Sequence, residues 1–172
     1  GCLMIGFTIG TVFTSFKLKD SPSQASEKNQ PIDYQAREKT LKSQLSANPG
    51  NVAAWTQLGH VYFDTGQHEK AIEAYLKSLS IAPDNANVLT DLGIMYRRSG
   101  QPKEAIRYFD KAMVVDPEHE SARFNKGIVL MHDLDEKEAA LSEWEALLAI
   151  TPLFMAGRDQ SLDQLLQHYK DH

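Results

Sequence analysis

The 172-residue chain contains a single cysteine, Cys2. One cysteine excludes an intramolecular disulfide and a zinc site built on several thiolates. Glycine (10 residues) and proline (7 residues) are too scarce for a low-complexity or collagen-like chain, which indicates that most of the sequence folds. The net charge of −5 argues against a nucleic-acid-binding protein, because such proteins present a basic surface to phosphates.

The sequence also lacks the motifs that carry catalysis or bind cofactors. It has no H-E-x-x-H, no glycine-rich phosphate loop, no G-x-S-x-G and no C-x-x-C-H. An acidic run over residues 133–138 lacks the spacing of a calcium-binding loop and is typical of a solvated turn. We therefore predict that the protein is not an enzyme and that it needs neither a metal nor a cofactor.

Residues 1–16 form an uncharged and largely apolar run. As a helix this run would be about 24 Å long, which is short of the roughly 30 Å hydrocarbon core of a bilayer. Because the chain begins with Gly1 rather than methionine, we predict a truncated membrane anchor over residues 1–19. A signal peptide, a lipid-modified Cys2 and a buried core helix are the alternatives. Residues 20–31 carry no large apolar side chain, which predicts a polar tether over residues 20–32.

The middle of the chain repeats itself every 34 residues. Prolines at positions 49, 83 and 117 and glycines at positions 59, 93 and 127 follow this step, and Pro152 comes one residue late. A period of this length is typical of a solenoid built from helical hairpins. Gly66 and Gly100 fall where the turn of each hairpin would need a left-handed residue. Asn51, and either Asp84 or Asn85, are candidate helix N-caps.

These residues resemble the tetratricopeptide repeat, with its pattern W-x2-L-G-x2-Y followed by A-x3-F and a terminal proline. The matching residues are Trp55, Leu58, Gly59, Tyr62, Ala71, Tyr75 and Pro83 in the first repeat, and Leu89, Leu92, Gly93, Tyr96, Ala105, Phe109, Ala112 and Pro117 in the second. The resemblance implies an all-α, right-handed superhelical solenoid of three hairpins, with flanking helices and an N-terminal membrane helix.

The predicted boundaries follow from the period. The repeats are placed at residues 52–85, 86–119 and 120–153, with flanking helices within 33–50 and 154–172. The third repeat departs from the pattern, because Arg123 and Lys126 replace apolar residues and its turn is one residue longer and lacks glycine. We still predict helices near 120–132 and 136–150.

The resemblance also implies a peptide-binding groove. In tetratricopeptide repeats the second, fifth, ninth and twelfth places of each first helix line the concave face. The groove residues transferred in this way, together with the neighbour of Arg97, are Thr56, His60, Phe63, Asn87, Thr90, Ile94, Arg97, Arg98, Phe124, Ile128 and Met131. For Phe124 and Ile128, contact with the closing helix is the alternative interpretation.

The implied function is that of a membrane-anchored scaffold for protein–protein interaction, which binds a partner's peptide while a protein complex is assembled or matured. Binding of acidic chaperone C-termini is disfavoured, because Thr56 and His60 stand where such domains carry lysine and asparagine. The layout of anchor, tether and repeats is similar to the membrane-anchored proteins of cytochrome c maturation, which present apocytochrome to a haem lyase. A self-assembling scaffold is the other alternative.

We expect no nucleic-acid partner and no small-molecule substrate. The layout favours a single-pass protein of the bacterial inner membrane with a periplasmic domain. A cytoplasmic domain stays open, because Lys17 and Lys19 follow the apolar run.

Overall fold

The computed structural model describes residues 32–171, so the predicted anchor and nearly all of the tether lie outside the described residues. Within this range the chain forms eight α-helices and no β-strand. The helices are α1 (Tyr34–Ala47), α2 (Val52–Asp64), α3 (His68–Ile81), α4 (Ala86–Arg98), α5 (Pro102–Val115), α6 (Glu120–His132), α7 (Lys137–Ile150) and α8 (Leu162–Asp171). No helix of the described range is both long and apolar enough to cross a bilayer.

Local sequence signals set where the helices begin and turn. The side chains of Asn51 and Asn85 accept hydrogen bonds from backbone N–H groups of α2 and α4 at 3.0 and 3.1 Å, so Asn85 rather than Asp84 is the second cap. Gly66 and Gly100 adopt φ angles of +69° and +76° in the first two hairpin turns. In the longer third turn Asp135 takes the left-handed conformation, at φ +56°.

Each hairpin closes on a glycine that faces an aromatic ring. Helices α2 and α3, α4 and α5, and α6 and α7 form the three pairs. A Cβ added to Gly59 would lie 2.4 Å from the Tyr75 ring, and one added to Gly93 would lie 2.6 Å from the Phe109 ring. The degenerate third repeat keeps this contact, because a Cβ on Gly127 would lie 2.1 Å from Trp144.

Tyr75 differs from its counterpart Phe109 by a hydroxyl that is buried without a hydrogen-bond partner in the described part of the chain. Burial raises the pKa of this hydroxyl, and the nearby carboxylates of Asp91 and Asp64 raise it further. Since an unpaired buried polar group destabilises a fold, the ring of Tyr75 contributes to stability while its hydroxyl detracts from it.

We expect Tyr75→Phe to raise the free energy of unfolding by about 1 kcal/mol, because it removes the unpaired hydroxyl and keeps the ring. The matched control is Tyr62→Phe, since the Tyr62 hydroxyl donates to Glu38 at 2.9 Å and its removal should destabilise the protein. Urea denaturation measures both.

The wild type should also lose stability as the pH rises above the unfolded tyrosine pKa of about 10, and Tyr75→Phe should reduce this loss. Equal stability changes of the same sign in both variants would contradict this interpretation of Tyr75.

The two charged residues that break the repeat pattern join an ion-pair network. Arg123 lies 3.0 Å from Glu143, and the Lys126 ammonium lies 2.7 Å from both Glu143 and Asp110. Desolvation alone would lower the pKa of Lys126, but its hydrogen bonds to Asp110 and Glu143 outweigh that effect and raise the pKa. The network therefore connects α5, α6 and α7 where the preceding repeats use apolar contacts.

Candidate functional site: the concave face of the repeats

The first helices of the hairpins form one face of the solenoid. Helix α4 packs directly against α6, whereas an open cleft lies between the second helices α3 and α5. Stacked repeats present an extended concave surface for binding, and the closer packing of the first helices indicates that this surface lies on their side. The side chains of α2, α4 and α6 that face away from the second helices therefore form the candidate binding surface.

An aromatic ring and an arginine meet between the first two repeats. The Arg98 guanidinium carbon lies 4.7 Å from the centre of the Phe63 ring, which is within the range of a cation–π contact. No carboxylate of the described residues lies within ion-pair distance of Arg98. Ile94 lies on the same helix as Arg98, and both Ile94 and Phe63 are half-buried against the main core.

A polar group lies on the same two helices. His60 Nε2 is 3.2 Å from the Asp91 carboxylate, and the His60 ring contacts the edge of Tyr75 with centroids 5.7 Å apart. Asn87 is exposed in the first turn of α4, two residues after the cap Asn85. His60 and Asn87, with Phe63, Ile94 and Arg98, are predicted groove residues that stay at least partly exposed on the first two repeats.

Two of the predicted groove residues point into the protein. Thr90 is only 3% exposed, and its hydroxyl donates to the Ala86 carbonyl at 2.8 Å. The Thr56 hydroxyl shares a 2.7 Å hydrogen bond with buried Ser78 on α3. Thr56 and Thr90 occupy the same position of the first and second repeats. At this position the hydroxyl of a threonine bonds to its own hairpin, so it is not available to a ligand in the groove.

The two neighbouring arginines of the predicted groove, Arg97 and Arg98, make different contacts. Arg97 donates to the carboxylate of Asp133, the residue that caps the C-terminal end of α6. This contact connects the first helices of the second and third repeats. Arg98 alone keeps a guanidinium without a carboxylate partner at this place in the described structure.

The chain itself covers the part of the groove that belongs to the third repeat. Phe124, Ile128 and Met131 pack into a second apolar cluster with residues of α7 and α8. The Phe124 ring also contacts Phe154 in the connection that precedes α8, with centroids 5.2 Å apart. For Phe124 and Ile128 the structure therefore has the alternative contact, with the closing part of the chain, and Met131 packs in the same cluster.

The opposite face carries an apolar cleft that the sequence did not point to. It has a volume of about 740 Å³ and lies between α3 and α5. Its apolar lining includes Leu76, Leu79, Leu89, Tyr108 and Val114, of which Val114 is 83% exposed. The sequence signal that could have indicated this cleft is the presence of Leu76 and Val114 at solvent-facing positions of the second helices.

Across the described residues, no cluster of three histidine, cysteine or carboxylate side chains is arranged to hold a metal ion.

Two family models match the chain, both described as the tetratricopeptide repeat, over residues 51–118 and 90–153. The chain is a tetratricopeptide repeat protein. Its repeats belong to a family of generally non-catalytic modules for protein–protein interaction. None of the curated proteins matches the sequence.

Solved structures show the same fold as these tetratricopeptide repeats. A crystal structure of MamA protein is 24% identical, with 81% of this chain and 74% of that chain covered and a TM-score of 0.71. MamA from Desulfovibrio magneticus RS-1 is 22% identical, with coverage of 70% and 67% and a TM-score of 0.66. The first tetratricopeptide domain of Spaghetti (RPAP3), solved with an HSP90 peptide, is 20% identical, with coverage of 70% and 93% and a TM-score of 0.62.

Proposed function

We propose that this tetratricopeptide repeat protein is a scaffold that holds a peptide segment of a partner protein in the concave groove of its first two repeats. The binding would serve the assembly or maturation of a protein complex. An anchor over residues 1–19 would keep the scaffold at a membrane, which the uncharged run of residues 1–16 supports. We further propose the bacterial inner membrane, with the repeats on the periplasmic side.

The observation that carries the proposal is the Arg98 guanidinium, whose carbon lies 4.7 Å from the centre of the Phe63 ring and which has no carboxylate partner among the described residues. The N–H groups of a guanidinium fit a carboxylate in a bidentate geometry. An arginine and an aromatic ring are also the residue types that most often supply binding energy at interfaces.

The surroundings of Arg98 favour a peptide rather than a small molecule. Phe63 and Ile94 offer apolar contact along α2 and α4, and His60, Asp91 and Asn87 add polar groups on the same helices. An apolar groove with few polar anchors suits an extended segment or a helix of a partner. The peptide held by RPAP3 supports this use of the fold, although Thr56 and His60 argue against the same ligand here.

We expect Arg98→Ala to weaken binding of the partner segment by about 10- to 100-fold, since hydrogen bonds to a charged group contribute about 1.5–3 kcal/mol. The segment is first captured by photocrosslinking from position 94 of the full chain and is then made as a labelled peptide for titration. Because Arg98 is exposed, the melting temperature should stay within about 2 °C of the wild type, as for surface substitutions of less than about 0.5 kcal/mol.

Lys77→Glu on the second helix α3 is the control, since this exposed lysine lies on the outer row of helices. It should leave the affinity for the segment unchanged, and added salt should weaken binding to the wild type more than binding to Arg98→Ala. If Lys77→Glu abolishes binding while Arg98→Ala leaves it intact, the partner binds the convex face and the proposal is wrong.

A further inference from the structure

The third repeat already holds an amphipathic helix, the chain's own α8, which packs chiefly against the second helix α7. Leu162 and Leu166 of α8 are 0% and 5% exposed and pack in one cluster with Trp144 and Leu147 of α7. Phe124, Ile128 and Met131 of α6 pack against the same cluster. We call the five residues contributed by α6 and α7 the α8-binding surface: Phe124, Ile128, Met131, Trp144 and Leu147.

The contacts that hold α8 differ from those that hold the hairpins. Helix α8 has only 10 residues, and an isolated helix of this length is not stable in water. Its polar contacts with α6 and α7 lie at the surface: Lys170 pairs with Glu145 at 2.7 Å with both side chains about half exposed, and Tyr169 is 3.2 Å from His132 Nε2. Leu162 and Leu166 are therefore its two buried side chains, and Leu165 and Tyr169 pack beside them partly exposed, with the Tyr169 ring 5.8 Å from the Trp144 ring.

The connection between α7 and α8 is only partly packed. Leu153 is 87% exposed and Met155 is 52% exposed, whereas Phe154 packs against Phe124 and backbone hydrogen bonds join Ala156 to Gln160 and Leu162 to Phe154. Segments with few buried apolar contacts open at lower free energy than the core of a fold. The hairpins, by contrast, are closed by fully buried rings such as Phe109 and Trp144.

We propose that the α8-binding surface is a helix-binding site, that α8 is its displaceable occupant, and that its ligand is an amphipathic helix of a partner protein. The ligand would carry large apolar residues at i, i+3, i+4 and i+7, as α8 does with Leu162, Leu165, Leu166 and Tyr169. A lysine directly after the last apolar residue would meet Glu145, as Lys170 does now. The proposal extends the proposed function, on which it rests only in taking the repeats to bind a partner protein.

The consequence is that binding at this surface is regulated by the chain itself. While α8 is docked, a partner helix meets an occupied surface, so its apparent affinity is the intrinsic affinity multiplied by the fraction of molecules in which α8 is released. A change that releases α8 therefore increases the affinity for a partner helix without adding any new contact.

The test uses the full chain and a labelled synthetic peptide of residues 160–171, the α8 sequence itself. The double variant Leu162→Asp, Leu166→Asp removes both buried leucines and releases the resident helix. Fluorescence anisotropy should show at least tenfold tighter peptide binding to this variant than to the wild type. The control Gln167→Asp places an acid at an exposed position of the same helix, leaves the hydrogen bonds between Ser161 and Gln164 in place, and should bind the peptide as weakly as the wild type does.

A second measurement on the unmodified protein does not depend on the fold of the variant. In native-state hydrogen exchange the amides of α8 should exchange at least tenfold faster than those of α7. Exchange of α8 as slow as that of α7, or equal peptide affinity for the wild type and the leucine variant, would overturn the proposal. Arg98→Ala should leave binding of the α8 peptide unchanged, so failure at one site is distinguishable from failure at the other.

Discussion

Replacing Gly93 by leucine is expected to lower the free energy of unfolding by about 3 kcal/mol, the upper end of the usual cost of overpacking a core. A Cβ at this position would lie 2.6 Å from the Phe109 ring, and Phe109 is fully buried. Either this buried ring must shift within the core or α4 and α5 must separate, and both changes cost stability. Separation of the two helices would break the hairpin of the second repeat, which packs against both neighbouring repeats.

The matched control for Gly93→Leu is Gly157→Leu in the connection before α8. A Cβ at Gly157 meets no atom within 4 Å, and this glycine has no positive φ angle. The control should change the melting temperature by less than about 2 °C, as expected for a surface substitution. An unchanged melting temperature for Gly93→Leu would show that the assigned register of the hairpin is wrong.

Replacing Glu143 by alanine is expected to cost about 3 kcal/mol of stability, because it leaves two largely buried cations without their shared partner. The side chains of Arg123, Lys126 and Glu143 are only 20%, 17% and 18% exposed. After the substitution Lys126 keeps Asp110, but Arg123 loses its one carboxylate contact within the described structure. Chemical denaturation of the full chain measures the loss.

The companion variant replaces Arg123, Lys126 and Glu143 together by leucine. Leucine is the residue that the second repeat carries at the places of Arg123 and Lys126, so the apolar side chains should fit between α5, α6 and α7. Exchanging a buried ion-pair network for apolar residues is commonly neutral or stabilising, and Asp110, the member that is kept, is 50% exposed and can be solvated. We therefore expect the triple variant to be at least as stable as the wild type. A triple variant less stable than Glu143→Ala would contradict this interpretation of the network.

The parts of this fold that were predictable from sequence depend on neighbours close in the chain. A helix cap needs only the backbone N–H groups of the next turn, so Asn51 was identifiable from its position. The left-handed residue of a short turn is a local requirement as well, which is why Gly66 and Gly100 could be assigned. The 34-residue period then fixed the order of the hairpins, since each hairpin packs mainly on its neighbours.

The candidate site was harder to predict, because its contacts cross from one repeat to the next. Arg97 and Asp133 are 36 residues apart, and their contact depends on how the second and third repeats stack. The sequence showed that Arg123 and Lys126 break the pattern but not that both meet Glu143. The packing of α8 on Phe124 depends on the path of residues 151–161, which have no counterpart in the repeat.

The most direct test of the central claim is photocrosslinking of the intact chain in membranes, with the photoreactive residue placed either at Ile94 in the groove or at Lys77 on the outer row. The account predicts that a partner segment is captured from position 94, that position 77 captures much less of it, and that Arg98→Ala reduces the product from position 94. Capture of the partner from position 77 but not from position 94 would contradict the account.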